Sequence, residues 1–144
     1  LGWMVVPDDA VEPIERLSQN LFISLSTPAQ YGALAGFTAS ARALLDERRE
    51  VFKERKNYLI KALREIGFEI PIEPKGAFYL YANAKKFTCD SSAFCHELLD
   101  KAHVAVTPGK DFGSYLANEH VRFSFTTSME ELEKGVERLA RLLC

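Results

Sequence analysis

The longest regular pattern in the chain runs from about Ala41 to Ile66. Leu44, Val51, Tyr58 or Leu59, Leu63 and Ile66 recur at spacings near three and four, one stripe of a helix. Charges of both signs fill the stretch from Arg42 to Glu65, which predicts a long helix lying partly in solvent. Acidic residues interleave the basic ones, which argues against a nucleic-acid surface here. Gly67 supplies the stop. Beyond Gly67 the chain changes character, from helical spacing to short apolar runs broken by Pro and Gly.

Before the long helix, Leu1–Val6 is a short continuous apolar run, the pattern of a strand buried on both faces. Such a run at residue 1 would begin inside a core, so the chain reads as a fragment of something longer. Pro7-Asp8-Asp9 ends the run and offers a helix start, and Ala10–Phe22 follows with Val11, Ile14, Leu17 and Leu21 at helical spacing. The polar stretch Asn20–Ser26 is expected as a loop. Thr27 reads as an N-cap with Pro28 at the first helical position. The helix it opens carries Gly32 and Gly36 among alanines, which predicts close packing against another element.

After Gly67, Phe68–Ile70 is a short strand candidate closed by Pro71 and Pro74. Lys75-Gly76 makes a turn, and Ala77–Tyr81 alternates as a strand. Asp90, Ser91 and Ser92 offer N-caps for a helix near Ala93–Ala102. His103–Thr107 is another short strand, stopped by Pro108-Gly109, and the loop Pro108–Asn118 follows. Ser128-Met129-Glu130-Glu131 is a capping box opening a last helix, with Leu132, Val136, Leu139 and Leu143 on its buried face. Strands and helices do not alternate strictly. The expected fold class is therefore α+β, helices packed on a small, largely antiparallel sheet.

Composition narrows the function classes. A net charge of −2 gives no reason to expect a nucleic-acid or anionic-membrane partner. No apolar run approaches the length that spans a bilayer, and no signal peptide is visible. Three cysteines without CxxC spacing read as reduced thiols in a cytoplasmic protein. His96, His103 and His120 lack metal-ligand spacing, so no metal is assigned.

The most informative strand is Glu119–Phe125. Val121, Phe123 and Phe125 point one way, Arg122 and Ser124 the other. Arg122 is a permanent cation in the middle of an aromatic strand, and burying it without a partner is costly. Its planar fork of donors matches a carboxylate or phosphate two bonds at a time. The residues alone leave two readings open: an ion pair with a nearby Glu at a sheet edge, or a ligand site.

Five local patterns occur in order: Leu1-Gly2-Trp3, Ser26-Thr27-Pro28-Ala29-Gln30, Pro74-Lys75-Gly76-Ala77-Phe78-Tyr79, Thr107-Pro108-Gly109-Lys110-Asp111-Phe112-Gly113 and Val121-Arg122-Phe123-Ser124. With the long helix between the second and third, the chain resembles the C-terminal part of the pyridoxal-phosphate-dependent aminotransferases of fold type I, class I/II. The resemblance covers the whole chain. It implies an enzyme that moves an amino group between an amino acid and a 2-oxo acid by means of pyridoxal 5'-phosphate, working as a homodimer. It implies that residues 1–40 are the tail of the large cofactor domain. Residues 41–144 would be the interdomain helix and the small domain.

The resemblance further implies that the Schiff-base lysine and a phosphate-binding arginine precede Leu1. No catalytic residue then lies in this chain, and the fragment is expected to be inactive alone. Arg122 matches the arginine that grips the substrate α-carboxylate. Gly76 and Phe78 match the turn that approaches the substrate. Thr27 lies in a segment that reaches the neighbouring subunit's cofactor phosphate in such dimers. The loop Pro108–Gly113 is expected to shape the site more than to take part in its chemistry. No Arg lies between Arg16 and Arg42, so the distal-carboxylate arginine of one dicarboxylate subgroup is lacking. A carbon–sulfur lyase or a cyclopropane-carboxylate-forming enzyme of the same fold would use the same arginine. A non-catalytic small-domain module for ligand sensing or dimerisation is the alternative of a different class.

Overall fold

The computed structural model describes residues 1–144. The chain divides into two compact units, Leu1–Arg48 and Arg49–Cys144.

The first unit is helical. Helix α1 runs Asp8–Leu21, opened by Asp8 and Asp9 in its first turn, where negative charge suits the positive end of the helix dipole. It starts two residues earlier than the spacing predicts and contains Pro13, which forgoes one ladder bond. The expected strand at Leu1–Val6 does not form: these residues are irregular, and Trp3 is 80% exposed. A strand needs a neighbour's N–H and C=O groups, and no other segment of this unit is extended. Helix α2 runs Thr27–Ala35. Its N-cap is Ser26 rather than Thr27, because the first ladder bond runs from Gln30 N–H to Ser26 O, 3.2 Å. The close packing expected at Gly32 is absent, since a Cβ there would meet nothing within 4 Å. Thr38 then caps the long helix, its hydroxyl accepting from Ala41 N–H at 3.3 Å.

Helix α3 is the long helix, Ala39–Ile66. Its stripe is buried only toward its C-terminal end, at Leu59, Ile60, Ala62, Leu63 and Ile66. Leu44 and Val51 remain exposed. Gly67 ends the helix with φ +118°, a conformation other residues adopt only with strain.

The second unit holds a three-stranded antiparallel sheet, β1 (Tyr79–Asn83), β2 (Thr107–Pro108) and β3 (His120–Ser124), in the order β1-β3-β2. Strand β1 starts two residues later than expected because Ala77 has φ +61°, which cannot extend. The Phe68–Ile70 strand reduces to one bridge, Glu69 with Asn83, followed by Pro71. The His103–Thr107 strand shrinks to Thr107–Pro108, because His103 (φ +54°) caps helix α4, Ser91–Ala102, in the left-handed conformation. Asp90 is the N-cap of α4, accepting from the N–H groups of Ser92 and Ala93. Helix α5, Met129–Leu143, opens on Ser128, which accepts from Glu131 N–H at 3.3 Å.

The core sits between one face of the sheet and the helices. It gathers Leu59, Leu63 and Ile66 of α3, Leu80 and Ala82 of β1, Leu98 of α4, Val121 and Phe123 of β3, and Leu132 and Leu139 of α5. Phe68 ties it together, its ring 4.8 Å from Phe87 and 5.2 Å from Phe123. The other face of the sheet is left for polar side chains, and there the site lies.

Candidate carboxylate site

Strand β3 is central, so each of its residues has a neighbour on β1, and two of them also on β2. Arg122 pairs with Tyr81 on one side and Thr107 on the other. Directly paired residues share a face. Tyr79, Tyr81, Thr107, Arg122 and Ser124 therefore stand together on the face opposite Val121 and Phe123. The guanidinium lies 5.4 Å from the Tyr79 ring centroid and 5.1 Å from that of Phe112, both within cation–π reach. It has no acid partner and makes no hydrogen bond. Its Nε is the one buried side-chain nitrogen or oxygen in the chain with no partner. The Glu ion pair that the strand alone left open is absent.

The guanidinium faces a cavity of about 450 Å³ lined by Tyr79, Tyr81, Phe112, Gly113, Ser114, Tyr115 and Arg122. By contrast, the hollow beside α3 that includes Arg64 has its arginine committed to Glu73 at 2.8 Å. The cavity wall is built by the segment after β2. A 3₁₀ turn, Gly109–Phe112, carries the Phe112 ring. Gly109 is required there: a Cβ would stand 2.7 Å from Tyr81 Oη, 2.8 Å from His120 O and closer still to Ala117 O. Lys110 ties the turn to Asp90 at 3.1 Å, and this bond, with those from Ala93 and Ser92, holds the Asp90 carboxyl below its ordinary range. Ser91 Oγ, fully buried, donates to Ala117 O at 2.8 Å.

A row of rings backs the cation. His120 Nδ1 donates to Leu116 O at 2.9 Å, and its ring stacks on Tyr81 at 4.9 Å and 12°. Tyr81 meets Phe112 edge-on at 6.0 Å. Burial pushes the Tyr81 phenol above its ordinary range, so it stays neutral near pH 7. The site therefore offers one permanent cation, hydroxyls and aromatic walls. Among the residues lining the cavity, Arg122 is the charged one, an arrangement suited to holding an anion.

The structure brings Arg122 to the cavity but not Gly76 or Phe78. A Cβ on Gly76 would meet nothing within 4 Å. Phe78 is 47% exposed and touches Tyr79 edge-on at 5.6 Å, outside the cavity lining. Thr27 lies in the other unit, exposed, at the start of α2. Sequence reasoning missed Tyr79, Tyr81, Tyr115 and Phe112 as lining residues. The alternation of β1 carried a signal for the first two, since it puts both on the face away from Leu80. The sequence carried no such signal for Phe112.

The family model for "Aminotransferase class I and II" matches residues 1–139. Aspartate aminotransferase of Bacillus subtilis is 36% identical over 149 residues, covering 99% of this chain and 37% of the relative. Valine–pyruvate aminotransferase of Mycobacterium tuberculosis is 34% identical over 143 residues, with 99% and 37% covered. The crystal structure of an aminotransferase from Mycobacterium tuberculosis superposes with a TM-score of 0.91 at 34% identity, covering 99% of this chain and 37% of that one. The chain thus spans little more than a third of the length of the proteins it matches.

Proposed function

The chain belongs to the class I and II aminotransferases, and from that premise we propose that it is the C-terminal portion of an enzyme that moves an amino group between an amino acid and a 2-oxo acid. Arg122 binds the substrate α-carboxylate. The observation that carries this reading is an arginine on a central strand with a buried, unpartnered Nε and no acid partner, facing an open cavity. A cation so placed is complete only when an anion enters.

Two parallel N–H bonds from the guanidinium fix the plane of a carboxylate, and with it the rotation of the other groups on Cα. A lysine, a point charge, would leave that rotation free. The rings of Tyr79 and Phe112 lie against the guanidinium and add cation–π contact to the site. Gly76 and Phe78 stand on the turn leading into β1, outside the lining of the Arg122 cavity, and their substrate contact is assigned from the family resemblance alone. Residues 1–40 belong to the large domain and residues 41–144 to the interdomain helix and small domain.

The cofactor of the parent is pyridoxal 5'-phosphate, which supplies an electron sink for the bond that breaks. The Arg122 cavity does not fit it, having no lysine amine and a single cation among its lining residues. The Schiff-base lysine and the phosphate arginine are assigned to the parent upstream of Leu1. In a cytoplasmic homodimer, Thr27 contributes its hydroxyl, which has no side-chain partner here, to the phosphate held by the neighbouring subunit. The isolated chain is inactive.

The test is Arg122→Ala in the full-length parent. Losing a charged pair of this kind costs on the order of 2–5 kcal/mol, about 30-fold to several thousand-fold in kcat/KM for the amino acid. Unchanged kinetics would refute the assignment. Reading the parent about fifteen residues upstream, a span set by the short connections usual between elements, separates the enzyme from a non-catalytic module. A lysine there followed by an arginine supports the enzyme, and their absence supports the module.

A further inference from the structure

The loop Pro108–Gly113 looks in sequence like a shaping loop, yet the structure lays one of its rings over the proposed ligand-binding cation. A guanidinium on a flexible stem recognises a carboxylate well only when its plane is held, and hydrogen bonds to the protein usually hold it. Arg122 has none. What touches its guanidinium is two rings, Tyr79 at 5.4 Å and Phe112 at 5.1 Å. Tyr79 is fixed by the β1–β3 ladder, where it pairs with Ser124. Phe112 is fixed by its own turn, through the Gly109 close approach, the Lys110–Asp90 tether and the edge contact with Tyr81. With the rings in place Nε is buried, while the two Nη nitrogens lie outside the buried set and have no protein partner.

We infer that Phe112 is a positioning residue for carboxylate recognition: its ring holds the Arg122 guanidinium so that the Nη edge is presented to the acid group of the substrate. The inference rests on the reading of Arg122 as the carboxylate ligand. The ring contributes its negative face, which a leucine of similar bulk lacks and a tryptophan keeps.

The experiment measures kcat and KM for an amino acid with the full-length holoenzyme carrying Phe112→Leu, Phe112→Trp, Arg122→Met, or Arg122→Met with Phe112→Leu. Phe112→Leu should lower kcat/KM about three- to thirty-fold, chiefly through KM, the range a partly desolvated cation–π contact supplies. Phe112→Trp should restore most of that loss. In the Arg122→Met background Phe112→Leu should add nothing, because the group it positions is gone. An equal penalty in both backgrounds, or a tryptophan variant as poor as the leucine one, would show a merely structural ring and overturn the inference. If Arg122→Met is damaging and Phe112→Leu is silent, only the positioning role falls. If Arg122→Met is itself silent, the carboxylate reading falls and takes this one with it. Should the leucine variant not fold, Phe112→Met serves in its place.

Discussion

Replacing Arg122 by Met should leave the unliganded parent as stable as before, or more so. An arginine in a sheet would ordinarily be expected to contribute to the fold through an ion pair. Here it has no acid partner, and its buried Nε–H is unsatisfied. Removing such an orphaned donor relieves on the order of 1–3 kcal/mol. Against this stand two ring contacts, each about 0.5–1 kcal/mol at a partly exposed site. A methionine also packs on those rings, recovering about 0.3–1.5 kcal/mol through its sulfur. The balance lies between about 1 kcal/mol lost and several gained, and its centre favours the variant. Urea denaturation of the parent without substrate measures it directly. A midpoint unchanged or raised, at an unchanged slope, is expected. A loss beyond about 2 kcal/mol would mean that the guanidinium holds the fold together, and the unsatisfied-cation argument would fail.

Other outcomes follow from the same geometry. Gly109→Ala puts a Cβ against two backbone oxygens and the Tyr81 hydroxyl, and should cost about 1–3 kcal/mol in denaturation. It should also weaken amino acid binding, since the turn carrying Phe112 must shift. Burial, with a smaller contribution from Asp111, pushes the Cys95 thiol up to about 11. The folded state therefore favours the protonated thiol. That contribution is complete below the unfolded thiol's value of roughly 8.5 and is lost as pH rises toward 11, so stability should fall across that window and Cys95→Ser should flatten the fall. Alkylation at pH 8 should mark the exposed Cys89 and Cys144 of this chain before Cys95, as peptide mapping would report.

Features set by neighbours in the chain were legible, and features set by distant contacts were not. The long helix and its Gly67 stop follow from spacing and one special φ, and the structure runs them from Ala39 to Gly67. The two-faced β3 follows from strict alternation around Arg122. The Asp90 and Ser128 caps follow from a side chain reaching its own next turn. Leu1–Val6 failed as a strand because extended backbone is settled by a partner, which composition does not reveal. The late start of β1 depends on Ala77 at φ +61°, a conformation alanine rarely takes and sequence does not announce. The site was half legible: a lone cation on an apolar strand advertises itself, whereas Phe112 meets it from another segment through a turn whose path is tertiary.

The most direct test of the central claim is discrimination between an amino acid and the matching primary amine, which lacks only the α-carboxylate. With the full-length holoenzyme, kcat/KM is measured for both substrates before and after Arg122→Met. The account predicts that the parent prefers the amino acid strongly, that the variant loses amino acid use by at least about 30-fold, and that amine use barely changes. Equal losses on both substrates, or a preference that survives the substitution, would show that the carboxylate is recognised elsewhere.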